Sequence, residues 1–328
     1  MMRSPDKIFE LINYLPKADL HLHLNGLFNT NIVCQILKEE GIIIPRDFNL
    51  ATDYVIPKRV GSLQKYLKPW EILHLIPKTI NNFRKLISSA FQYLASENIK
   101  YAELRTSVIY LSNLFKIRLE DTLNLIIDIF EEYSKKYVVD FNIIITIQRS
   151  LNAHLDLNRL LEAYCNIGKP NRIVALDLAG NEDCPMPNEL PNIFRKAKYK
   201  YGLSITIHAG ETGNIDAIYD AIYLYAADRI GHGCSATKDL KLMEILYKNQ
   251  ICVEVCPISN YLTGAYHNIP PYVTFQKFDV PFVISSDNPA IHQKGLSNDY
   301  MQFLKEGGKM DKLLNMYNEQ LKYSFKRK

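Results

Sequence analysis

Five residues of this chain have the types and spacing of a metal centre. His21 and His23 stand in Leu20-His-Leu-His-Leu24, His208 in Ile207-His-Ala-Gly-Glu211, His232 in Ile230-Gly-His-Gly233, and Asp287 ends Phe282-Val-Ile-Ser-Ser-Asp287. In a β-strand successive side chains alternate faces, so His21 and His23 point one way and their leucine neighbours the other. Each of the other three also closes a short apolar run. Imidazoles with a carboxylate suit a Zn²⁺-class ion that keeps one position open for water. Such an ion lowers the pKa of that water toward ~7 and makes a nucleophile available at neutral pH. Spacing alone counts His232 among the ligands. Glu211 follows His208 by three residues, and Gly210 permits a sharp turn that returns a carboxyl over the site. Partly desolvated there, Glu211 would keep its proton and act as a general acid; at the first turn of a helix it would merely favour the dipole. His74, His154, His267 and His292 lack such placement and read as structural or surface residues.

These residues meet only if the fold brings several strand ends to one rim. Apolar or alternating runs occur at 18–23, 100–108, 141–148, 172–179, 204–208, 229–232, 251–256 and 282–287. Amphipathic stretches at 80–97, 119–137, 156–167, 189–201, 214–227 and 238–249 read as helices. In 119–137, Leu119, Leu123, Ile126, Ile127 and Phe130 fall at helical spacing, with Glu131, Glu132, Lys135 and Lys136 outside. Strands alternating with helices imply parallel pairing, and eight such units predict a closed (β/α)₈ TIM barrel rather than an open sheet. In that barrel every strand C-terminus shares one rim. The stretch between the first and second strands is about 75 residues long and holds Tyr66-Leu-Lys-Pro-Trp70, with the only Trp, and two further helical patterns. A helical insertion at that point is where a barrel enzyme carries a lid. The stretch 296–326 reads as closing helices. No repeat or low-complexity linker divides the chain, so 1–328 reads as one domain.

Composition narrows the function class. Lys plus Arg number 39 and Asp plus Glu 35 in 328 residues, a net charge of +4 that makes no electrostatic case for nucleic acid. The basic end Phe325-Lys-Arg-Lys328 reads as a solvated helix end. The six cysteines form no C-x-x-C pair, no Asn-x-Ser/Thr sequon occurs, and Met1-Met-Arg-Ser-Pro-Asp-Lys7 has no apolar stretch. No apolar run approaches the ~18 residues of a membrane span. The expectation is a cytoplasmic protein of a reducing compartment, without membrane attachment. Gly231-His-Gly233-Cys-Ser-Ala236, with Glu254 further on, formally fits a dinucleotide fingerprint. The run before it is short and polar, and that reading leaves the paired histidines unexplained. The H-x-E and P-C-x-x-C signature of zinc enzymes acting on flipped bases is absent, since Cys252 and Cys256 are spaced C-x-x-x-C.

A set of short motifs carries a resemblance. Leu15-Pro-Lys-Ala-Asp-Leu-His-Leu-His-Leu-Asn-Gly26, Tyr101-Ala-Glu-Leu-Arg105, Leu176-Asp-Leu-Ala-Gly-Asn-Glu182, His208-Ala-Gly-Glu211, Arg229-Ile-Gly-His-Gly233, Val255-Cys-Pro-Ile-Ser-Asn260 with Leu262-Thr-Gly264, and Ser286-Asp-Asn-Pro289 run in order along the chain. Together they resemble the adenosine deaminase family of metal-dependent hydrolases. The resemblance implies a (β/α)₈ barrel, one Zn²⁺ per chain, and hydrolysis of adenosine and 2′-deoxyadenosine to inosine and ammonia in purine salvage. It implies that His21, His23, His208 and Asp287 hold the metal, that Glu211 protonates purine N1, and that His232 stands beside the metal to orient and deprotonate water. It also implies that the Gly180 backbone N–H meets the purine. The presence of both Glu211 and His232 argues against a purine-binding protein that has lost turnover.

Two positions depart from the commonest family pattern. Asn25 stands where an Asp usually contacts the ribose hydroxyl end, and Asn288 where an Asp approaches purine N7; an Asn amide can still donate to N7. Asn25 resembles the branch acting on N6-substituted AMP, so AMP, N6-methyl-AMP and free adenine are the alternative substrates. No cluster of Lys or Arg accompanies the strand-end motifs to bind a phosphate, which favours adenosine. The sequence leaves the oligomeric state open.

Overall fold

The computed structural model describes residues 5–326. Eight strands, β1 (Lys17–His23), β2 (Ile99–Thr106), β3 (Asp140–Gln148), β4 (Ile173–Ala179), β5 (Ser204–Ala209), β6 (Arg229–His232), β7 (Cys252–Val255) and β8 (Phe282–Ile284), follow one another in chain order around one parallel sheet. Every neighbouring pair is parallel. The ring is drawn together at its rim by the candidate ligands themselves: His23 N–H donates to Asp287 O at 3.0 Å and Asp287 N–H to His21 O at 2.9 Å. β4 is buried along its whole length, as a parallel strand covered on both faces must be. This is the TIM barrel that the alternation of elements predicts.

Helices Ile80–Ser96, Leu119–Tyr137, Ala153–Asn166, Leu190–Tyr201, Asp216–Tyr223 and Leu240–Lys248 form the outer layer. Leu119–Tyr137 buries Leu119, Leu123, Ile126, Ile129 and Phe130, with Ile129 in the inward place expected of Ile127. Phe130 meets Phe91 and Phe141 edge-on at ring separations of 5.8 and 5.5 Å, tying two helices to β3. Such pairs contribute about 0.5–1.5 kcal/mol each beyond their buried area.

The differences from the expected boundaries have local causes. β8 ends at Ile284, short of Asp287, and Asp287 takes φ +62. His232, at φ +63, ends β6 in the same way. A left-handed residue cannot continue a strand, and both outliers sit at candidate site residues, where such strain concentrates. The stretch 214–227 is helical only over Asp216–Tyr223, and Ala226 beyond it takes φ +57. Between β1 and β2 the chain forms a 3-10 turn Asn25–Leu27, helix Thr30–Glu39, and the four-residue helices Leu50–Asp53, Leu63–Tyr66 and Trp70–Leu73 before Ile80–Ser96, more pieces than the two patterns expected. Each short piece is too brief for a periodicity signal, yet Asn29, Asn49, Ser62 and Thr79 cap their helices through side-chain oxygens. Helices Leu296–Lys305, Met310–Leu314 and Met316–Tyr323 close the chain. No helix among the described residues is long and apolar enough to cross a membrane.

The barrel interior is charged rather than apolar. Arg105 and Arg229 lie fully inside it with Glu103, Asp177 and Glu254. Arg229 pairs with Glu103 at 2.6 Å and Glu254 at 2.7 Å, and Arg105 pairs with Glu254 and, at 3.3 Å, with Asp177.

Candidate active site

The rim where β1, β5 and β6 end gathers four imidazoles. His23 Nε2 lies 3.0 Å from His208 Nε2 and 3.4 Å from Asp287 Oδ1, and His21 Nε2 lies 3.7 Å from that same oxygen. Ligands of a tetrahedral ion with bonds of about 2.0–2.1 Å stand about 3.3–3.4 Å apart, so this spacing fits. The decisive atom is His21 Nε2, which is buried and has no hydrogen-bond partner. Its other nitrogen, Nδ1, is 2.7 Å from Glu254 Oε2, and His208 Nδ1 is 2.8 Å from Asp177 Oδ1. Nitrogens that donate to carboxylates leave the opposite Nε2 atoms unprotonated and aimed at one point. Burial and the nearby Arg105 cation push both rings well below the usual histidine pKa, so they are neutral ligands.

His232 differs. Its Nδ1 accepts from Asn260 Nδ2 at 2.9 Å, which places the ring proton on Nε2. It therefore offers a donor beside the converging nitrogens rather than a lone pair, which separates it from the ligands where spacing could not; a ring protonated there can orient water but cannot take its proton, the other half of the role that the resemblance implies. Its Nε2 stands 3.6 Å from Glu211 Oε2.

Glu211 sits in an irregular turn after β5, well before the helix that starts at Asp216, so a first-turn helical role does not apply. Gly210 takes φ +81, and a Cβ there would come 2.5 Å from Ile218. Glu182 holds the turn: its carboxylate accepts from the N–H groups of Gly210 (3.0 Å) and Glu211 (2.8 Å) and from the Thr212 hydroxyl (3.1 Å). Burial, with the charges of Asp287 and Glu182, pushes the Glu211 carboxyl well above the usual carboxylate range. A carboxyl pushed toward its protonated form thus faces the imidazole cluster.

A cavity of about 750 Å³ opens from this cluster, and His23, Asn25, Gly180, Glu211, His232 and Asn288 all line it. Its apolar lining comes from Leu63, Leu67 and Trp70 of the insertion and from Ile109 and Leu114 of the helix Val108–Phe115 that follows β2. Asn25 lies beside the Tyr110 hydroxyl. Asn288 donates one amide N–H to the Tyr66 hydroxyl at 2.9 Å, and the second N–H of the same nitrogen is left for another acceptor. The glycines of the dinucleotide-like fingerprint have another cause: a Cβ on Gly231 would lie 3.0 Å from His21 Cε1 and 3.3 Å from His208 Cα. Gly231→Ala should displace His21 and weaken binding of a metal ion at this cluster by about 10–100-fold, the size of outer-shell effects on metal sites. Competition with a chelator measures it, and wild-type affinity in the variant would show that the rings shift freely.

The adenosine deaminase family model matches residues 16–326. The chain belongs to this family. An adenosine deaminase from Clostridium botulinum is 29% identical over 290 residues, covering 87% of this chain and 86% of the relative. Among solved structures, the adenine deaminase from Arthrobacter aurescens superposes with a TM-score of 0.83 at 20% identity, covering 95% of this chain and 94% of that one. The N6-methyl-AMP deaminase from Arabidopsis thaliana gives 0.79 at 22% identity, covering 97% and 94%. At these identities the two structures establish the shared fold.

For an adenosine deaminase family member, the described residues bring together every site residue that the sequence singles out. The supporting side chains escaped notice. Arg105, Asp177, Glu182 and Asn260 lie inside quoted motifs, and their charge or amide on apolar runs was the available signal. Glu254, the acid of the dinucleotide-like fingerprint, instead holds His21 Nδ1, and His292, of the two readings structural or surface, is buried against Tyr66.

Proposed function

We propose that the protein is a zinc-dependent adenosine deaminase, with residues 1–328 acting as one catalytic domain. The observation that carries this is a buried Glu211, its carboxyl pushed toward the protonated form, in the same cavity as the cluster of His21, His23, His208 and Asp287. His21, His23, His208 and Asp287 would hold the ion. Neutral imidazoles with a carboxylate suit Zn²⁺, and the partnerless His21 Nε2 supports that assignment. A divalent ion there supplies a strongly acidified water at neutral pH.

The chain's own residues do the rest. The apolar wall of Leu63, Leu67 and Trp70 excludes bulk water from a planar base. Gly180 lines the opposite side, where its backbone can approach the purine edge. Glu211 gives its proton to N1, so charge does not build up as oxygen adds to C6. His232, with its proton on Nε2, donates to that oxygen and fixes its face. Asp287 receives a hydrogen bond from Ser259 at 2.6 Å on Oδ2, which leaves Oδ1 toward His21 and His23. The attacking water gives one proton to Asp287, which hands it to the leaving amine, and the C6 hydroxyl returns its remaining proton to Glu211 as the C6–N bond breaks, so that ammonia leaves and inosine keeps the proton on N1.

The cavity lining favours a nucleoside over a nucleotide. Glu71 and Asp156 line it, and Arg105, the one Lys or Arg among the described lining residues, is committed to Glu254 and Asp177. Asn25 is the feature that favours a second reading, deamination of AMP or N6-methyl-AMP. An aspartate at that position would repel a 5′-phosphate by on the order of several kcal/mol in a partly desolvated site, and asparagine removes that penalty. Asn25→Asp should therefore lower kcat/KM for AMP-type substrates by about tenfold or more, and leave adenosine equal or improved. The comparison is kcat/KM for adenosine against AMP and N6-methyl-AMP in both proteins. An unmoved ratio would show that Asn25 does not face the ribose end. Ammonia release over adenosine, 2′-deoxyadenosine, AMP, N6-methyl-AMP and adenine tests the function itself. Turnover of only a nucleotide or only adenine overturns the adenosine reading.

A further inference from the structure

Tyr66 lies in the insertion, far in sequence from every strand-end motif, yet it is buried to 2% exposure against the candidate metal site. Its hydroxyl stands 2.9 Å from Asn288 Nδ2, 2.5 Å from His292 Nε2, 3.4 Å from Asp287 Oδ2 and 3.4 Å from Ser259 Oγ. The ring packs beside Trp70 at 6.1 Å and His292 at 5.7 Å. A phenylalanine would keep both ring contacts, so packing does not require the hydroxyl. The oxygen accepts from the Asn288 amide, and its single proton goes to Asp287 Oδ2. Burial keeps His292 neutral by pushing its pKa down to about 3, and its one ring proton, placed on Nε2, completes the set by donating to the tyrosine oxygen.

The consequence falls on Asp287. Ser259 and Tyr66 both address Oδ2, and Oδ1 is thereby the oxygen presented to His21 and His23. The segment carrying Tyr66 is stitched to the same rim by backbone bonds, Ile56 N–H to Ile291 O at 2.8 Å and Val60 N–H to Leu262 O at 2.9 Å. We propose that Tyr66 is a positioning residue, its hydroxyl acting with His292 to orient Asp287 and Asn288, so that the carboxylate edge of the metal site is complete only when the insertion is seated. This rests on Asp287 being a zinc ligand.

The test uses zinc-loaded wild type, Tyr66→Phe, His292→Phe and the double variant. Zinc loss to a chromogenic chelator should be about tenfold faster in Tyr66→Phe, in line with outer-shell effects. Adenosine kcat should fall about tenfold with KM within about threefold, because the hydroxyl spends its bonds on protein groups. The rise in melting temperature on adding zinc should be smaller in Tyr66→Phe than in wild type, a difference that a purely structural tyrosine would leave unchanged. The double variant should be no worse than Tyr66→Phe, since His292 acts through the tyrosine. Wild-type zinc retention and kcat in Tyr66→Phe overturn the proposal, and additive losses in the double variant overturn the role of His292. A wild-type protein that binds no zinc overturns the metal site itself. The zinc-loss arm does not depend on which purine is turned over.

Discussion

Glu211→Gln should abolish most turnover while leaving the metal in place. Glutamine keeps the shape of the side chain and both main-chain bonds to Glu182, but it has no proton acidic enough to give to N1. Groups that transfer a proton in the transition state contribute about 10²–10⁴-fold, and kcat should fall by at least that lower bound. Zinc content should be unchanged, because Glu211 is not among the converging nitrogens and the Asp287 oxygen. In the wild type the raised Glu211 carboxyl predicts a rate that declines on the alkaline side, as the proton is lost, and this limb should be missing from the residual activity of the variant. A drop of only a few-fold would make Glu211 a structural residue and remove the acid from the mechanism.

His21→Ala should cost both metal and activity. Its Nε2 is the buried atom without a partner, and its Nδ1 is held by Glu254, so nothing else can supply a nitrogen at that point. A protein that binds zinc only when folded gains stability as RT ln(1 + [L]/Kd), so wild-type melting temperature should rise when zinc is added. The variant should lose that rise together with turnover. Elemental analysis and thermal melts with and without zinc measure both. One ion per chain and normal turnover in His21→Ala would falsify its place in the site.

The strand-end histidines were legible because period-two alternation and apolar runs announce where a side chain leaves a parallel barrel. His21, His23 and His208 follow from that logic alone. Asp287 followed less securely: its strand stops at Ile284, and a left-handed turn, which no local residue pattern announces, carries it to the rim. The distinction between His232 and the ligands could not be read from spacing, since it depends on Asn260 meeting Nδ1 across 28 positions of sequence. Tyr66 and Glu254 were opaque for a similar reason. Their roles arise from contacts with residues more than 190 positions away, and each looked locally like ordinary helix or strand content.

The charged interior has a consequence for what a single lesion deep in the barrel would do. Arg105 is shared by Glu254 and Asp177, and these two carboxylates hold Nδ1 of His21 and of His208. Arg229 bonds Glu254 as well as Glu103. Removing one guanidinium group would strand buried carboxylates that aim the ligand rings, and a buried charge left without its partner costs several kcal/mol. Damage at the bottom of the barrel would thus be felt at the rim, as imidazoles that no longer converge.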